Sequence, residues 1–313
     1  MTGADSHLML DEGLLSARLV DPGLVSRLVR VPTIGSTNEE LVAAAHSPNF
    51  SAEWPHMSVL TAEEQTGGRG RLGRTWASPY AAALSTSIVL RPRLPRAHWH
   101  WLSLTAGLAL VQALRGRGVP AALKWPNDVH VEGRKIAGLL AVVPPADPEA
   151  VIVGGGINVL LSRQQLPTKT STSLLLELGR RDDSAAPESA PGDGPEAALL
   201  RTGLLADWLE NFAGLVRRIE AEGDMASVRG PIITATSTPG QHVRVELPDG
   251  SAVRGQALGI DDQGALEVEV TSRRRTVLEA DAGGGAEDLW QQTPPRRESY
   301  TAGEVVHLRA AGA

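Results

Sequence analysis

The most informative stretch of the chain spans residues 124 to 138 and reads Lys124-Trp125-Pro126-Asn127-Asp128-Val129-His130-Val131-Glu132-Gly133-Arg134-Lys135-Ile136-Ala137-Gly138. Apolar, β-branched residues predict strands at Val129–Val131 and Ile136–Val143. A proline-led turn precedes the first strand, so the Asp128 carboxylate would lie near the start of that strand. The stretch therefore predicts a pair of short strands with polar and charged side chains beside them.

Lysine is rare in this chain, which has 27 arginines and only three lysines. Two of the three, Lys124 and Lys135, fall within this stretch. A compact ammonium group, rather than a planar guanidinium, is then what these positions require, and lysine is a common ligand of phosphate. Asp128 could accept a proton or help to hold Mg²⁺. On these residues alone, a hairpin with an Asn-Asp corner and surface lysines is an equally good interpretation.

A glycine- and arginine-rich segment, Gly67–Arg74, lies upstream, between a predicted strand and a turn. Its glycines let backbone amides approach an anion, and its three arginines can bind carboxylate and phosphate oxygens. The segment contains G-x-G-x-x-G, but no helix begins there and no acidic residue follows about 20 positions later, which excludes a Rossmann site. A Walker A ending is also absent. An arginine–glycine tract that binds nucleic acid is the remaining alternative, and the flanking ordered elements favour an anion-binding loop.

The surrounding elements alternate between helices and strands. Ser36 and Glu39 form a capping box for a helix at Glu39–Ala45. Three glycines follow a predicted strand at Val151–Val153, and Asn158 beyond them can donate and accept hydrogen bonds. The other predicted elements are strands at Ser58–Ala62 and Leu84–Leu90, a buried helix at Trp99–Leu114 and an amphipathic helix at Ala197–Glu222.

Short strands separated by turns follow Pro231, which is the pattern of a small β-barrel. The sequence therefore predicts an N-terminal extension at residues 1–30, a larger domain at 31–228 and a small C-terminal domain at 229–313. Two segments poor in apolar residues, 181–195 and 282–298, are predicted to be loose insertions in these domains.

Charge is distributed unevenly along the chain. The formal net charge is -6, yet no Asp or Glu occurs between Gln65 and Asn127, where nine basic residues fall. A local excess of positive charge in an acidic protein suits an anionic ligand better than DNA. The absence of cysteine excludes disulfides, thiolate metal sites and a thioester mechanism. No apolar run predicts a membrane span and no signal peptide is evident, so we expect a cytoplasmic protein.

Taken in order, these motifs resemble the biotin–protein ligases. The N-terminal ones are Ser36-Thr37-Asn38, Gln65 with Gly68–Arg74, Lys124–Asp128, Arg134–Gly138 and Gly154–Val159; Gly259–Leu266 and Gly303–Val306 extend the resemblance to the C-terminal domain. The resemblance implies an α+β fold: a catalytic domain with a central mixed β-sheet flanked by helices, similar to class II aminoacyl-tRNA synthetases, followed by a small C-terminal β-barrel. It also implies the short form of the family, without an N-terminal DNA-binding domain.

The resemblance implies a role for each matching residue. Biotin would be bound by Ser36, Thr37, Asn38, Gln65, Arg69, Gly70, Arg71 and Lys135. ATP would be bound by Arg69, Arg71, Lys124, Asn127, Lys135 and Asn158. The catalytic residues would be Lys135, Arg71 and Asp128, the last of which would help the target lysine to lose its proton.

The implied reaction uses ATP, Mg²⁺ and biotin, and its acceptor is a biotin carboxyl carrier domain of a biotin-dependent carboxylase. Either a monomer or a homodimer is expected, without sequence-specific DNA binding and without a membrane. Three alternatives remain: a lipoate ligase, a biotin-sensing repressor and a catalytically inactive biotin binder. The last is suggested by Val142, which stands where relatives usually carry glutamate.

Overall fold

The computed structural model of the protein describes residues 9–70, 75–76, 78–181, 195–274, 290–301 and 303–308. The chain divides into two compact units. The first comprises the described residues within Met1–Ala122 and Asn127–Arg229, and the second those within Leu123–Pro126 and Gly230–Ala313.

A mixed β-sheet forms the centre of the larger unit. Its strands lie in the order β1-β2-β3-β7-β6-β5-β4. β1 pairs with β2 in parallel, whereas β2–β3, β3–β7, β7–β6 and β6–β5 are antiparallel. The strand bounds are β1 Arg27–Ile34, β2 Ser58–Gln65, β3 Ala83–Leu90, β4 Ala121–Lys124, β5 Asp128–Val131, β6 Arg134–Val142 and β7 Val151–Asn158. The predicted α+β fold with a central mixed sheet is confirmed.

Helices flank this sheet. Their bounds are α1 Glu12–Leu15, which continues as a π-helical turn at Ser16–Val20, α2 Thr37–Ala44, α3 Phe50–Glu53, a 3₁₀ turn at Arg96–His98, α4 Trp101–Gly116, α5 Leu174–Arg181, α6 Pro195–Glu222 and α7 Ala226–Ala235. α2 begins where the capping box predicts, because the Ser36 hydroxyl accepts a hydrogen bond from the Glu39 amide.

The two long helices pack against each other and against the sheet. α4 is buried nearly all round, as its apolar sequence predicts. Trp208 of α6 is fully buried, and its Nε1 donates to the Ala106 carbonyl oxygen of α4 at 2.9 Å. A Cβ atom on Gly155 of β7 would lie only 2.4 Å from the Trp208 ring. α6 therefore covers one face of β7, which leaves the opposite face for other groups.

Five antiparallel strands make up the sheet of the smaller unit, in the order β11-β10-β9-β8-β12. They are β8 His242–Glu246, β9 Ala252–Ile260, β10 Leu266–Arg274, β11 Trp290–Tyr300 and β12 Glu304–His307. This agrees with the expected small all-β domain. Among the described residues, no ladder joins the edge strands β11 and β12, so the sheet is open there rather than closed into the predicted barrel.

Three predictions about local structure were wrong. The glycines 154–156 lie inside β7 and do not follow a strand. The N-terminal extension contains the start of β1, at Arg27. The second insertion contributes residues 290–298 to β11, while 275–289 lie outside the described residues. Pro294 and Pro295 are tolerated in β11 because it is an edge strand with an irregular register between Gln292 and Arg296. Of the first insertion, residues 182–194 also lie outside the described part.

Candidate active site

The exposed face of β7 is lined by glycines that make room for two larger side chains. A Cβ atom on Gly154 would lie 2.4 Å from Asn38 Oδ1, and one on Gly156 would lie 2.4 Å from the Trp76 ring. Alternate residues of a strand point to the same face and are about 7 Å apart. Asn38 and Trp76 therefore lie side by side across β7, in space that any other residue at these two positions would fill.

Uncharged polar groups meet at the Asn38 end of this face. Gln65 Oε1, at the end of β2, accepts from the Thr37 amide at 2.8 Å and from the Thr37 hydroxyl at 3.1 Å. The Ser87 hydroxyl of β3 lies 2.7 Å from both Thr37 Oγ1 and Asn38 Oδ1. Asn38 Nδ2 donates to the Leu140 carbonyl oxygen at 3.2 Å. The network orients amide and hydroxyl groups from α2, β2 and β3 around one point.

Charged groups lie at the Trp76 end. Lys135 Nζ is 2.7 Å from Asp128 Oδ1 and 5.6 Å from the centre of the Trp76 ring. A Cβ atom on Gly138 would lie 3.2 Å from Lys135 Nζ, so this glycine admits the ammonium group beside β6. The indole Nε1 of Trp76 is buried and has no hydrogen-bond partner among the described residues. This end of the face therefore combines an aromatic ring with an ammonium–carboxylate pair.

The backbone around Lys135 is held by a neighbouring segment. The Lys135 amide donates to the Thr170 carbonyl oxygen, and the Thr172 amide donates to the Lys135 carbonyl oxygen, each at 2.8 Å. Asn158 is buried, and its Nδ2 donates to the Thr172 carbonyl oxygen at 3.0 Å. Buried Glu177 binds Arg134 and the Thr172 hydroxyl. In this structure Asn158 supports the segment that positions Lys135, and its role in binding ATP stays a prediction.

The arginine–glycine loop is only partly described. Arg69 Nε lies 2.7 Å from Glu39 Oε1, with both side chains more than half exposed. The Trp76 amide donates to the Gly68 carbonyl oxygen at 2.8 Å, which fixes the base of the loop. Gly70 ends the described part, and Arg71 lies outside the described residues. The roles predicted for Arg69, Gly70 and Arg71 therefore stay predictions.

The remaining predicted residues belong to the Lys124–Asp128 motif, which is divided between the two units. Asn127 Nδ2 donates to the Leu139 carbonyl oxygen, and the Leu139 amide donates back to the Asn127 carbonyl oxygen at 2.8 Å. Lys124 ends β4 and is grouped with the smaller unit. Within that unit Trp125 is buried, and its Nε1 donates to the Gly264 carbonyl oxygen at 3.0 Å. ATP binding by Lys124 and Asn127 stays a prediction.

Comparison with known proteins identifies the family. The description "Biotin/lipoate A/B protein ligase family" matches residues 32–158, and "Biotin protein ligase C terminal domain" matches residues 238–308. A biotin--[acetyl-CoA-carboxylase] ligase of Mycobacterium tuberculosis is 37% identical over 307 residues, which cover 96% of each chain. The chain belongs to the biotin protein ligases.

Other relatives of this ligase agree. A biotin--[acetyl-CoA-carboxylase] ligase of Paracoccus denitrificans is 31% identical over 79% of this chain and 95% of its own. The solved biotin protein ligase from Aquifex aeolicus, in complex with biotin and ATP, has a TM-score of 0.62 and 23% identity; the match covers 91% of this chain and 99% of that chain. At this identity, the structural likeness supports the fold alone.

Sequence reasoning missed two side chains of the site. Trp76 was assigned only to a turn, although a tryptophan directly after a glycine-rich loop could have been matched to the glycines of β7. Ser87 lies in a polar run, Ser85-Thr86-Ser87, inside a strand that is buried at every position. Buried hydroxyls need partners, so that run was a usable signal for a polar network.

Asp128 is kept ionised in this ligase. Burial alone would raise the pKa of Asp128, but His130 and Lys135 outweigh it and lower the pKa below its ordinary value. A carboxylate with a depressed pKa in the folded state stabilises the fold above its unfolded pKa of about 3.9, and this contribution is lost as the pH falls through the folded pKa. Asp128 is therefore available as an anion throughout the neutral range.

Substitution of Asp128 by asparagine should consequently destabilise the ligase in a pH-dependent way. We expect the loss of unfolding free energy to be largest near neutral pH and to shrink as the pH is lowered below about 4. Denaturant unfolding of both proteins over this pH range measures it. A loss that stays constant with pH would show that Asp128 is not preferentially ionised in the folded state.

Proposed function

We propose that this ligase joins biotin to AMP with ATP and then transfers the biotinyl group to a lysine of a biotin carboxyl carrier domain. The observation that carries the proposal is the pairing of two chemically different ends on one face of β7. The neutral network of Thr37, Asn38 and Gln65 lies at one end, and the Lys135–Asp128 pair lies at the other. Biotin has the same polarity, with an uncharged ureido ring at one end and a carboxylate at the other.

The first step brings two anions together. An oxygen of the biotin carboxylate attacks the α-phosphorus of ATP, the bond to pyrophosphate breaks, and biotinyl-AMP forms. Lys135 would offset the repulsion and stabilise the charge that develops on the phosphate oxygens, together with Arg69 and Arg71 of the loop. No cysteine is required, because the mixed anhydride is itself the activated acyl group.

The second step needs a neutral amine. The lysine Nζ of the carrier attacks the acyl carbon, AMP leaves, and an amide bond remains. A lysine ammonium must first lose a proton, and Asp128, as an ionised carboxylate beside the charged end of the pocket, would accept it.

Magnesium fits this site only as a companion of the nucleotide. Among the described residues, no three His, Asp or Glu side chains come together as a metal site. Mg²⁺ commonly keeps several water ligands and binds through substrate phosphates. It would here neutralise phosphate charge, while the side chains of this chain orient the two substrates.

The finer expectations remain proposals. We infer a carboxylase carrier as acceptor, no sequence-specific DNA binding, a cytoplasmic location and either a monomer or a homodimer. None of the described helices is both long enough and apolar enough to cross a bilayer.

Pyrophosphate release with each acid separately tests the first step. The protein is incubated with ATP and Mg²⁺ and with biotin or lipoate. We expect pyrophosphate and biotinyl-AMP with biotin and little product with lipoate. Product with lipoate alone would assign the chain to lipoate ligation instead, and binding of biotin without pyrophosphate release would identify an inactive binder.

Substitution of Gly156 by alanine tests the pocket itself. The new Cβ atom would overlap the Trp76 ring, so the ring must move, and we expect biotin to bind about 10-fold more weakly or worse. Gly214→Ala in α6 is the matched control, because a Cβ atom there meets nothing within 4 Å. Calorimetric titration with biotin measures both. Equal affinities for the two variants would place biotin elsewhere.

A further inference from the structure

We propose that His130 is a positioning residue for Asp128, which it holds in place when Lys135 turns towards the bound substrates. The inference rests on the role proposed above for Asp128. It concerns the transfer step and makes no use of His130 in the adenylation step.

His130 and Asp128 lie two residues apart on β5. Alternate residues of a strand share a face, and His130 Nε2 is 3.6 Å from Asp128 Oδ2. Lys135 takes the other oxygen, with Nζ 2.7 Å from Oδ1. The carboxylate of Asp128 therefore has one close partner and one slightly more distant partner, on its two different oxygens.

The imidazole is placed to form a hydrogen bond that it does not yet make. His130 is 8% exposed, and its Nε2 is buried without a hydrogen-bond partner among the described residues. A buried ring nitrogen without a partner is costly. A movement of about 0.5 Å would bring the separation from Asp128 Oδ2 within the ordinary hydrogen-bond range.

Ligand binding changes the balance between the two partners. Lys135 has a flexible side chain and would be drawn to the carboxylate and phosphate oxygens of the substrates. Asp128 would then lose its close partner while its charge remains largely buried. His130 lies on the same strand as Asp128 and is itself packed, so it stays behind and can donate to Oδ2. The carboxylate is thereby kept in place to receive the proton of the carrier lysine.

A purely structural role would have different consequences. If His130 only fills space on β5, its replacement would lower stability and affect both half-reactions alike. If it positions Asp128, adenylation should be spared and transfer impaired, and the effect should vanish once Asp128 is removed. A glutamine, whose amide can also donate, should restore part of the transfer rate.

The test measures the two half-reactions separately in the full-length protein. Formation of biotinyl-AMP is followed by pyrophosphate release, and transfer by single-turnover reaction of preformed biotinyl-AMP with a carrier domain. We expect His130→Phe to slow transfer by about 10- to 100-fold, as for loss of a hydrogen bond to a charged group, and to change adenylation by less than about 3-fold. His130→Gln should recover much of the transfer rate. His46→Gln, at an exposed position, is the control.

The Asp128→Ala background completes the test. We expect His130→Phe to cause no further loss of transfer there. An equal loss in both half-reactions, an unchanged transfer rate, or the same additional loss in the Asp128→Ala background would each overturn the inference. Failure of the parent protein to transfer biotin at all would instead count against the proposed function, so the two failures are distinguishable.

Discussion

Replacement of Lys135 by alanine is expected to slow formation of biotinyl-AMP by about 100- to 1000-fold, the usual effect of removing one donor that stabilises charge in a transition state. Lys135 is the described cation at the charged end of the pocket, beside the Trp76 ring and paired with Asp128. Its loss leaves the carboxylate and the α-phosphate to approach each other without this compensation. The effect should appear mainly in kcat, because the charge develops in the transition state.

Pyrophosphate release at saturating biotin and ATP measures this effect. Lys169→Ala is the matched control, since Lys169 is an exposed lysine of the same chain, and we expect near-parental rates for it. Lys135→Arg should be intermediate at best, because a planar guanidinium does not fit beside Gly138 as a compact ammonium group does. Parental activity of Lys135→Ala would remove Lys135 from the mechanism.

The second large effect concerns stability and involves a buried ion pair outside the site. Glu63 of β2 and Arg201 of α6 lie 2.5 Å apart, and neither side chain has any exposure. Glu63 also accepts from the Leu10 amide at 2.9 Å, and Arg201 donates to the Ala83 carbonyl oxygen at 3.2 Å. Loss of one partner leaves the other charge buried and unpaired. We expect Glu63→Gln and Arg201→Met each to cost about 3–5 kcal/mol of unfolding free energy.

Denaturant unfolding measures these costs, with an exposed ion pair as reference. Arg96 and Glu149 form a pair whose side chains are 58% and 74% exposed, so Arg96→Met should cost less than about 1 kcal/mol. Simultaneous replacement of Glu63 and Arg201 by methionine should recover much of the single-variant loss, since no unpaired charge remains. Losses below about 1 kcal/mol for both buried variants would show that the pair is not needed to organise β2 and α6.

Local patterns predicted those elements whose signals are local. Ser36 and Glu39 marked the start of α2, and the continuous apolar sequence of α4 marked a helix that is buried nearly all round. β7 was misjudged at Gly154–Gly156, because glycine is intrinsically poor in strands. These glycines are inside the strand because Asn38, Trp208 and Trp76 occupy the space of their missing side chains. That information is tertiary and is not present in the strand itself.

The site was predicted in part for the same reason. The Lys135–Asp128 pair and the Thr37–Asn38–Gln65 network come together in the structure, whereas the sequence supplied only their separate motifs and the family resemblance. Trp76 and His130 were not singled out, since each becomes meaningful only through a neighbour on another segment or through the two oxygens of Asp128. Trp125 shows the converse, because a residue of the most distinctive motif packs in the smaller unit.

Biotin transfer to a carrier domain tests the central claim most directly. The purified protein is incubated with biotin, ATP, Mg²⁺ and a carrier domain, and the intact mass of the carrier is measured beside a carrier whose acceptor lysine is replaced by arginine. We predict an increase by one biotinyl group that requires ATP and the acceptor lysine and that is lost with Lys135→Ala. No increase under these conditions and with preformed biotinyl-AMP, or an equal increase in the arginine carrier, would contradict the account.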